Sequence, residues 1–220
     1  MPALAIFDLD NTILNGQSQQ LFLWFAFKRE VIGLIPFLRI NGWFILYKLG
    51  FIDDPKKVME YAFAFLRGKN KEEIGKLSDM FFEAVIRPRL YKEALKSIDD
   101  ERSSGKEILL LSNATDFIVA TIARYLNVSI FICTVLEQQE GKYTGHISGT
   151  IKYGEEKKRL VREYAEQHGY DLKTSSAYAD HHTDIPMLSE VGFPYAVNPT
   201  RPLKQFALLH SWPLLHFSHQ

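Results

Sequence analysis

The sequence predicts an α/β protein: an open, mostly parallel, Rossmann-like sheet with helices on both faces, plus an inserted all-helical cap. Three observations carry this expectation. Short apolar runs at 4–7, 108–111, 129–135, 176–179 and 193–197 alternate with stretches of helical periodicity, the rhythm of βα units. Three of these runs end abruptly on polar residues, at Asp8, Ser112 and Asp180, and parallel sheets bind ligands beyond the carboxyl ends of their strands. Between the first and second runs the patterning is helical throughout, far longer than a βα connection requires.

The bulk properties exclude several classes. A chain of 220 residues suits one domain with a modest insertion. Apolar residues at 46% and charged residues at 24% are ordinary for a soluble globular protein. Lys plus Arg equals Asp plus Glu at 26 each, so no basic surplus points to nucleic acid. Cys133 stands alone, which rules out an internal disulfide. Its neighbours Ile130, Phe131 and Ile132 make it a buried strand residue rather than a nucleophile. The N-terminus runs straight into the first strand, with no basic region and no cleavable apolar segment, and a cytoplasmic location is expected.

The first strand, Leu4-Ala5-Ile6-Phe7, carries no charge and suits burial on both faces. It runs into Asp8-Leu9-Asp10, and period-two geometry sends both carboxylates to one side. Adjacent carboxylates at the end of a buried strand repel each other, and a divalent cation such as Mg²⁺, which prefers oxygen ligands, offsets that charge. After the Asn15-Gly16 turn, residues 21–51 are dense in aromatics, including Phe22, Trp24, Phe25, Phe37, Trp43, Phe44 and Tyr47. Lys28, Arg29, Glu30, Arg39 and Lys48 interrupt this stretch, leaving no uncharged run near the ~20 residues that span a bilayer. A pair of helices with wide apolar faces is the expectation; contact with a membrane surface and an apolar substrate pocket are the alternatives.

Asp54-Pro55 starts a further helix, with Asp54 as the cap and Pro55 at its first position. Helices are expected next over 71–85 and 91–103, the latter closed by Gly105. The second strand ends at Ser112-Asn113-Ala114-Thr115 and leads into a helix over 116–126, an arrangement suited either to capping or to holding an anion. Residues 141–149 alternate like a small hairpin or flap. A long helix opens at Gly154-Glu155-Glu156-Lys157 and runs to His168. The fourth strand ends in Asp180-His181-His182-Thr183-Asp184. Two His beside two Asp suggest a transition-metal site only weakly, since a third such ligand is lacking. The chain closes with 210–216 as an edge strand or docked tail.

Asp8-Leu9-Asp10-Asn11-Thr12 resembles motif I, D-x-D-x-T, of the haloacid dehalogenase-type (HAD) phosphohydrolases. Ser112 resembles motif II, Lys157 motif III, and Asp180 through Leu188 motif IV. Ala179 replaces the usual Gly there, and His181 and His182 stand where small residues are common. The helical insertion after motif I resembles the phosphoserine phosphatase-like branch, subfamily IB. This resemblance implies a core of 1–15 and 88–220 with a cap of 16–87.

It further implies a Mg²⁺-dependent phosphomonoester hydrolase working through an aspartyl-phosphate. Asp8 is then the nucleophile and Asp10 the general acid and base. Asp8, Asp180 and the backbone carbonyl of Asp10 are the metal ligands. Lys157 neutralises charge, and Asp184 orients Lys157 or a metal-bound water. Ser112, Asn113, Gln17 and Thr12 form the substrate-binding set, with Asn11 and Thr12 also supporting the loop.

Phosphoserine phosphatases typically place a Glu nine residues after the nucleophile, where Gln17 stands here. They also use a cap Arg, whereas residues 59–65 contain none and Arg67 is only a loose candidate. Phosphoserine is therefore disfavoured, and a small or partly apolar phosphate ester is expected. Two other readings stand beside hydrolysis: a phosphotransferase or mutase sharing the intermediate, and a non-catalytic binder of a phosphate ligand. A pure binder has no use for Asp10. The oligomeric state is left open.

Overall fold

The computed structural model describes residues 1–51 and 53–218, apart from the side chains of Tyr47 and Lys48. The contributions of Tyr47 and Lys48 to the aromatic, charge-interrupted stretch thus lie outside the described side chains. Seven strands form one sheet in the order β4-β3-β2-β1-β5-β6-β7. These are β1 (Leu4–Phe7), β2 (Glu107–Thr115), β3 (Ile130–Gln139), β4 (Lys142–Ser148), β5 (Ser176–Ala179), β6 (Phe193–Val197) and β7 (Leu214–Leu215). All neighbours pair in parallel except β3 and β4. The α/β sheet expected from the apolar runs is therefore the fold.

Alternation along β1 splits the interior into two clusters. Leu4 and Ile6 join Leu109, Leu111, Ala177 and Ala179 on one face. Ala5 and Phe7 join Ile108, Leu110 and Tyr178 on the other. The first face is covered by α7 (Glu155–His168), α8 (Ile185–Leu188) and α9 (Arg201–Leu209). No helix was expected over 201–209; Pro202 at its start and the amphipathic spacing of Leu203 and Ala207 explain it.

The second face carries α5 (Lys92–Ser103), α6 (Asp116–Tyr125) and the four helices inserted after β1. These are α1 (Ser18–Lys28), α2 (Leu34–Lys48), α3 (Pro55–Phe63) and α4 (Lys71–Phe81). Asp54 caps α3 as expected, its carboxylate accepting from the amides of Lys56 and Lys57 at 3.0 and 3.2 Å. The aromatic stretch forms the expected helix pair, α1 and α2. Phe22, Phe25 and Phe37 belong to the cluster of the second face: Phe22 packs 4.8 Å from Phe117 of α6 and 5.2 Å from Phe81 of α4. One continuous apolar body thus joins the insertion to the sheet.

Two boundaries differ from expectation, for one reason each. β2 continues to Thr115, but its pairing with β3 slips between Leu111 and Thr115, so Ser112, Asn113 and Ala114 occupy an irregular segment. β3 runs beyond Val135 because its end pairs with β4 through a two-residue turn. Glu140 and Gly141 both have positive φ there, at 51° and 75°, as a right-twisted hairpin demands. The flap at 141–149 is therefore the second strand of a hairpin that β3 begins.

Candidate active site

The chain leaving β1 folds back on itself. The amides of Thr12, Ile13 and Leu14 all donate to the Leu9 carbonyl at 3.0–3.3 Å, and Asn11 adopts a left-handed φ of 57°. This turn carries Asp8 and Asp10 to the carboxyl edge of the sheet. Asp10 Oδ1 accepts from the Ser18 amide at 2.9 Å, at the start of α1, where free amides and the helix dipole favour a carboxylate. Lys157, in the first turn of α7, reaches across so that its Nζ lies 2.7 Å from Asp8 Oδ1 and 2.9 Å from Asp184 Oδ1. All three side chains are buried.

A cavity of about 180 Å³ opens on this cluster. Asp8, Asp10, Gln17, Ser112, Asn113, Lys157, Asp180 and Asp184 all line it. These are all the sequence-derived site residues but one. Thr12 is the exception: its side chain is fully sealed inside the turn and does not line the cavity, a placement that suits the loop-supporting role also expected of it. Arg67, the loose candidate for a substrate contact, donates from Nε to the Thr144 carbonyl at 2.9 Å and packs against Gly145; it too stands outside the lining.

Ser112 Oγ accepts from the Ala114 amide at 3.1 Å, which fixes its irregular segment. Asn113 is held from both sides, its Oδ1 accepting from Thr134 Oγ1 and its carbonyl from Gln19 Nε2, each at 3.1 Å. Asn11, expected only to support the loop, also lines the cavity, as do Lys152, Tyr153 and Thr183, for which no role was expected. Lys152 and Tyr153 sit in the linker before Gly154, where no periodicity marks them. His181 lines the cavity while His182 is exposed. His181 Nδ1 lies 2.8 Å from Thr183 Oγ1 and accepts from the Thr183 amide at 3.4 Å. Burial and the His182 ring beside it hold its pKa below the usual value.

The electrostatics fit a hard cation. Carboxylate oxygens of Asp8, Asp180 and Asp184 lie within 4.8 Å of one another, and among the described residues no His or Cys joins that group. Burial pushes the Asp8 carboxyl up to about 8 and Asp180 up to about 7, with the neighbouring carboxylates adding to both. Asp10 is likewise raised by burial, against the pull of the Ser18 amide. Burial opposes charge on Lys157, but Asp184 and Asp8 outweigh it and hold the ammonium protonated. One lysine among so many buried carboxylates leaves excess negative charge on oxygen donors. An all-oxygen donor set of this kind suits Mg²⁺ over softer metals.

Fold and site together define an α/β enzyme built around carboxylate chemistry. The family model of haloacid dehalogenase-like hydrolases matches residues 5–189. Phosphoserine phosphatase SerB1 of Mycobacterium tuberculosis is 30% identical over 224 residues, spanning 99% of this chain and 71% of its own length. A histidinol-phosphatase of Neisseria meningitidis serogroup C is 28% identical over 222 residues, 99% of this chain and 100% of its own. The crystal structure of a protein of unknown function from Bordetella pertussis Tohama I superposes with a TM-score of 0.91 at 27% identity, over 98% of this chain and 99% of that one. The chain belongs to the haloacid dehalogenase-like hydrolase family, as an enzyme of its phosphatase type.

Proposed function

We propose that the protein is a Mg²⁺-dependent phosphomonoester hydrolase acting through an aspartyl-phosphate on Asp8, with residues 16–87 serving as the cap over the site. The observation that carries this reading is the Lys157 bridge, 2.7 Å from Asp8 and 2.9 Å from Asp184, beside an Asp10 held independently by Ser18. A binding module needs a cation near its anion. It does not need a second carboxylate with a raised pKa beside a nucleophile.

Asp8, Asp180 and the main-chain carbonyl of Asp10 would hold Mg²⁺, which when bound supplies positive charge beside the phosphoryl oxygens. Ser112, Asn113 and the Lys157 ammonium orient the phosphoryl group and balance its charge. An Asp8 oxygen attacks phosphorus, the ester P–O bond breaks, and protonated Asp10 gives its proton to the leaving alkoxide. Asp10, now a carboxylate, takes a proton from water as that water attacks phosphorus. The Asp8–phosphorus bond then breaks and inorganic phosphate leaves. A pKa raised by burial suits Asp10 to both roles, since it must hold a proton near neutral pH and then accept one.

The test is phosphate release from p-nitrophenyl phosphate with Mg²⁺ or EDTA, for the wild type and Asp8→Asn. Metal-dependent turnover that the substitution abolishes supports the reading. Folded wild type without turnover on a broad panel of phosphate esters overturns it.

A further inference from the structure

A second hollow of about 260 Å³ adjoins the first and shares Asp10, Gln17, Asn113 and Tyr153 with it. Phe44, Pro55, Val58 and Met59 supply its apolar wall, and Gln19 and Gln20 add amides. Among the described residues Asp10 is the only charged one in the lining, and it sits at the reacting end. A third hollow of about 160 Å³ continues from there between α1 and α2, sharing Gln20 and Phe44 and ending at Trp24 and Ile45. The three form a track from the carboxylates to the outer surface of α2.

That outer surface is apolar. Leu34, Leu38, Ile45 and Leu49 are 42–65% exposed together with Ile35 and Leu46. Their spacing places them within about one third of the helix circumference. Phe51 extends the patch at 75% exposure. The opposite side of α2 is already packed, through Phe37 and Ile40. A helix apolar on both sides needs a second cover. Over residues 18–51 the chain has four basic residues, Lys28, Arg29, Arg39 and Lys48, against Glu30 alone, a local surplus in a chain whose net charge is zero. Lys28, Arg29 and Arg39 are exposed. An aliphatic stripe with a local positive surplus complements an anionic lipid surface.

We propose that the outer face of α2 docks on an anionic bilayer, and that the track between α1 and α2 receives the acyl portion of a lipid phosphate whose headgroup reaches Asp8. The docking surface stands on its own observations; the substrate class rests on the phosphatase reading above. Phe44 and Tyr153 flank the passage from the headgroup to the chain, and the scarcity of charge there disfavours zwitterionic leaving groups.

The test is co-sedimentation with vesicles of phosphatidylcholine alone and of phosphatidylcholine mixed with phosphatidylglycerol. Wild type binds the anionic vesicles, and added salt weakens the binding. Ile35→Asp and Leu38→Asp reduce it by at least about tenfold, since one buried aliphatic side chain is worth that much. Both residues lie outside the three hollows, so hydrolysis of p-nitrophenyl phosphate stays unchanged and also certifies the fold. Failure to bind either vesicle overturns the proposal. So does a dimer in solution that Leu38→Asp dissociates without any vesicle binding, which assigns the face to a second copy. For the substrate, the specificity constant for lysophosphatidic acid exceeds that for glycerol 3-phosphate, and Phe44→Asp erases the preference; equal constants in the wild type overturn the acyl track. Loss of turnover on every phosphate ester defeats the phosphatase reading while leaving the vesicle result to judge the surface.

Discussion

Lys157 Nζ and Asp8 Oδ1 stand 2.7 Å apart although 149 residues separate them in the chain. The contact joins the end of the first strand to the start of a helix on the far side of the hairpin, and it is buried. Removing the lysine strands Asp8 and Asp184 without a cationic partner. Lys157→Met is expected to lose turnover and about 3–5 kcal/mol of stability, the usual cost of breaking a buried pair. Urea unfolding with and without Mg²⁺ measures it, and Mg²⁺ recovers part of the loss.

Asp10→Asn leaves the Ser18 amide an acceptor and preserves the turn, but removes the transferable proton. Turnover falls by about 10²–10⁴ while the thermal midpoint stays near that of the wild type. An unchanged rate would remove Asp10 from the proton transfer.

If the proposed site holds Mg²⁺, the ion is expected to stabilise the folded state by binding it alone. At a hundred times its dissociation constant the gain is about 2.7 kcal/mol. Thermal melting with and without EDTA shows it, and Asp180→Asn reduces the difference.

Glu101 gives a pH dependence far from the reaction centre. Its carboxylate is partly buried, which works against charge, yet it accepts from Ser176 Oγ and Tyr178 Oη at 2.6 Å each and pairs with Lys106 at 2.9 Å. The bonds win, and its pKa is lowered. The folded state therefore gains stability that is complete above the unfolded carboxyl value of about 4.3 and is lost as the pH falls through the lower folded value. Glu101→Gln flattens the acid limb of a stability–pH curve, and an unchanged limb would contradict this.

Gly192 has no room for a methyl group, since a Cβ there meets the Lys173 carbonyl oxygen at 1.8 Å. Gly192→Ala destabilises by about 1–3 kcal/mol through the displaced backbone. Chemical denaturation reads it directly.

Much of this was legible because the informative residues stand at the ends of apolar runs. Asp8, Ser112 and Asp180 are conspicuous there, whereas Asp184 and Lys157 were marked by the resemblance to the family's motifs, with the spacing from Gly154 only favouring Lys157 over Lys158. Tyr153 and Lys152 were not legible, because a linker without periodicity can be aimed at a cavity only by the tertiary fold. Of the two roles expected of Thr12, its burial inside the turn fits loop support, and sequence could not choose between them because burial is set by the fold. The helix over 201–209 went unread because its charged and polar residues obscure a narrow apolar stripe of Leu203 and Ala207. The exposed face of α2 was visible only as an apolar stretch, since composition does not reveal which side of a helix its own protein covers.

The packing of Phe22 against Phe117 and edge-on to Phe81 has a consequence for how the molecule opens. Because these rings bridge the insertion and the sheet, α1 and α6 belong to one cooperative unit. Their amides are expected to exchange with solvent at a common opening free energy, which hydrogen exchange would show as α1 lacking a separate, faster phase. On the proposed phosphatase reading, substrate entry and phosphate release are expected to leave that aromatic seam closed.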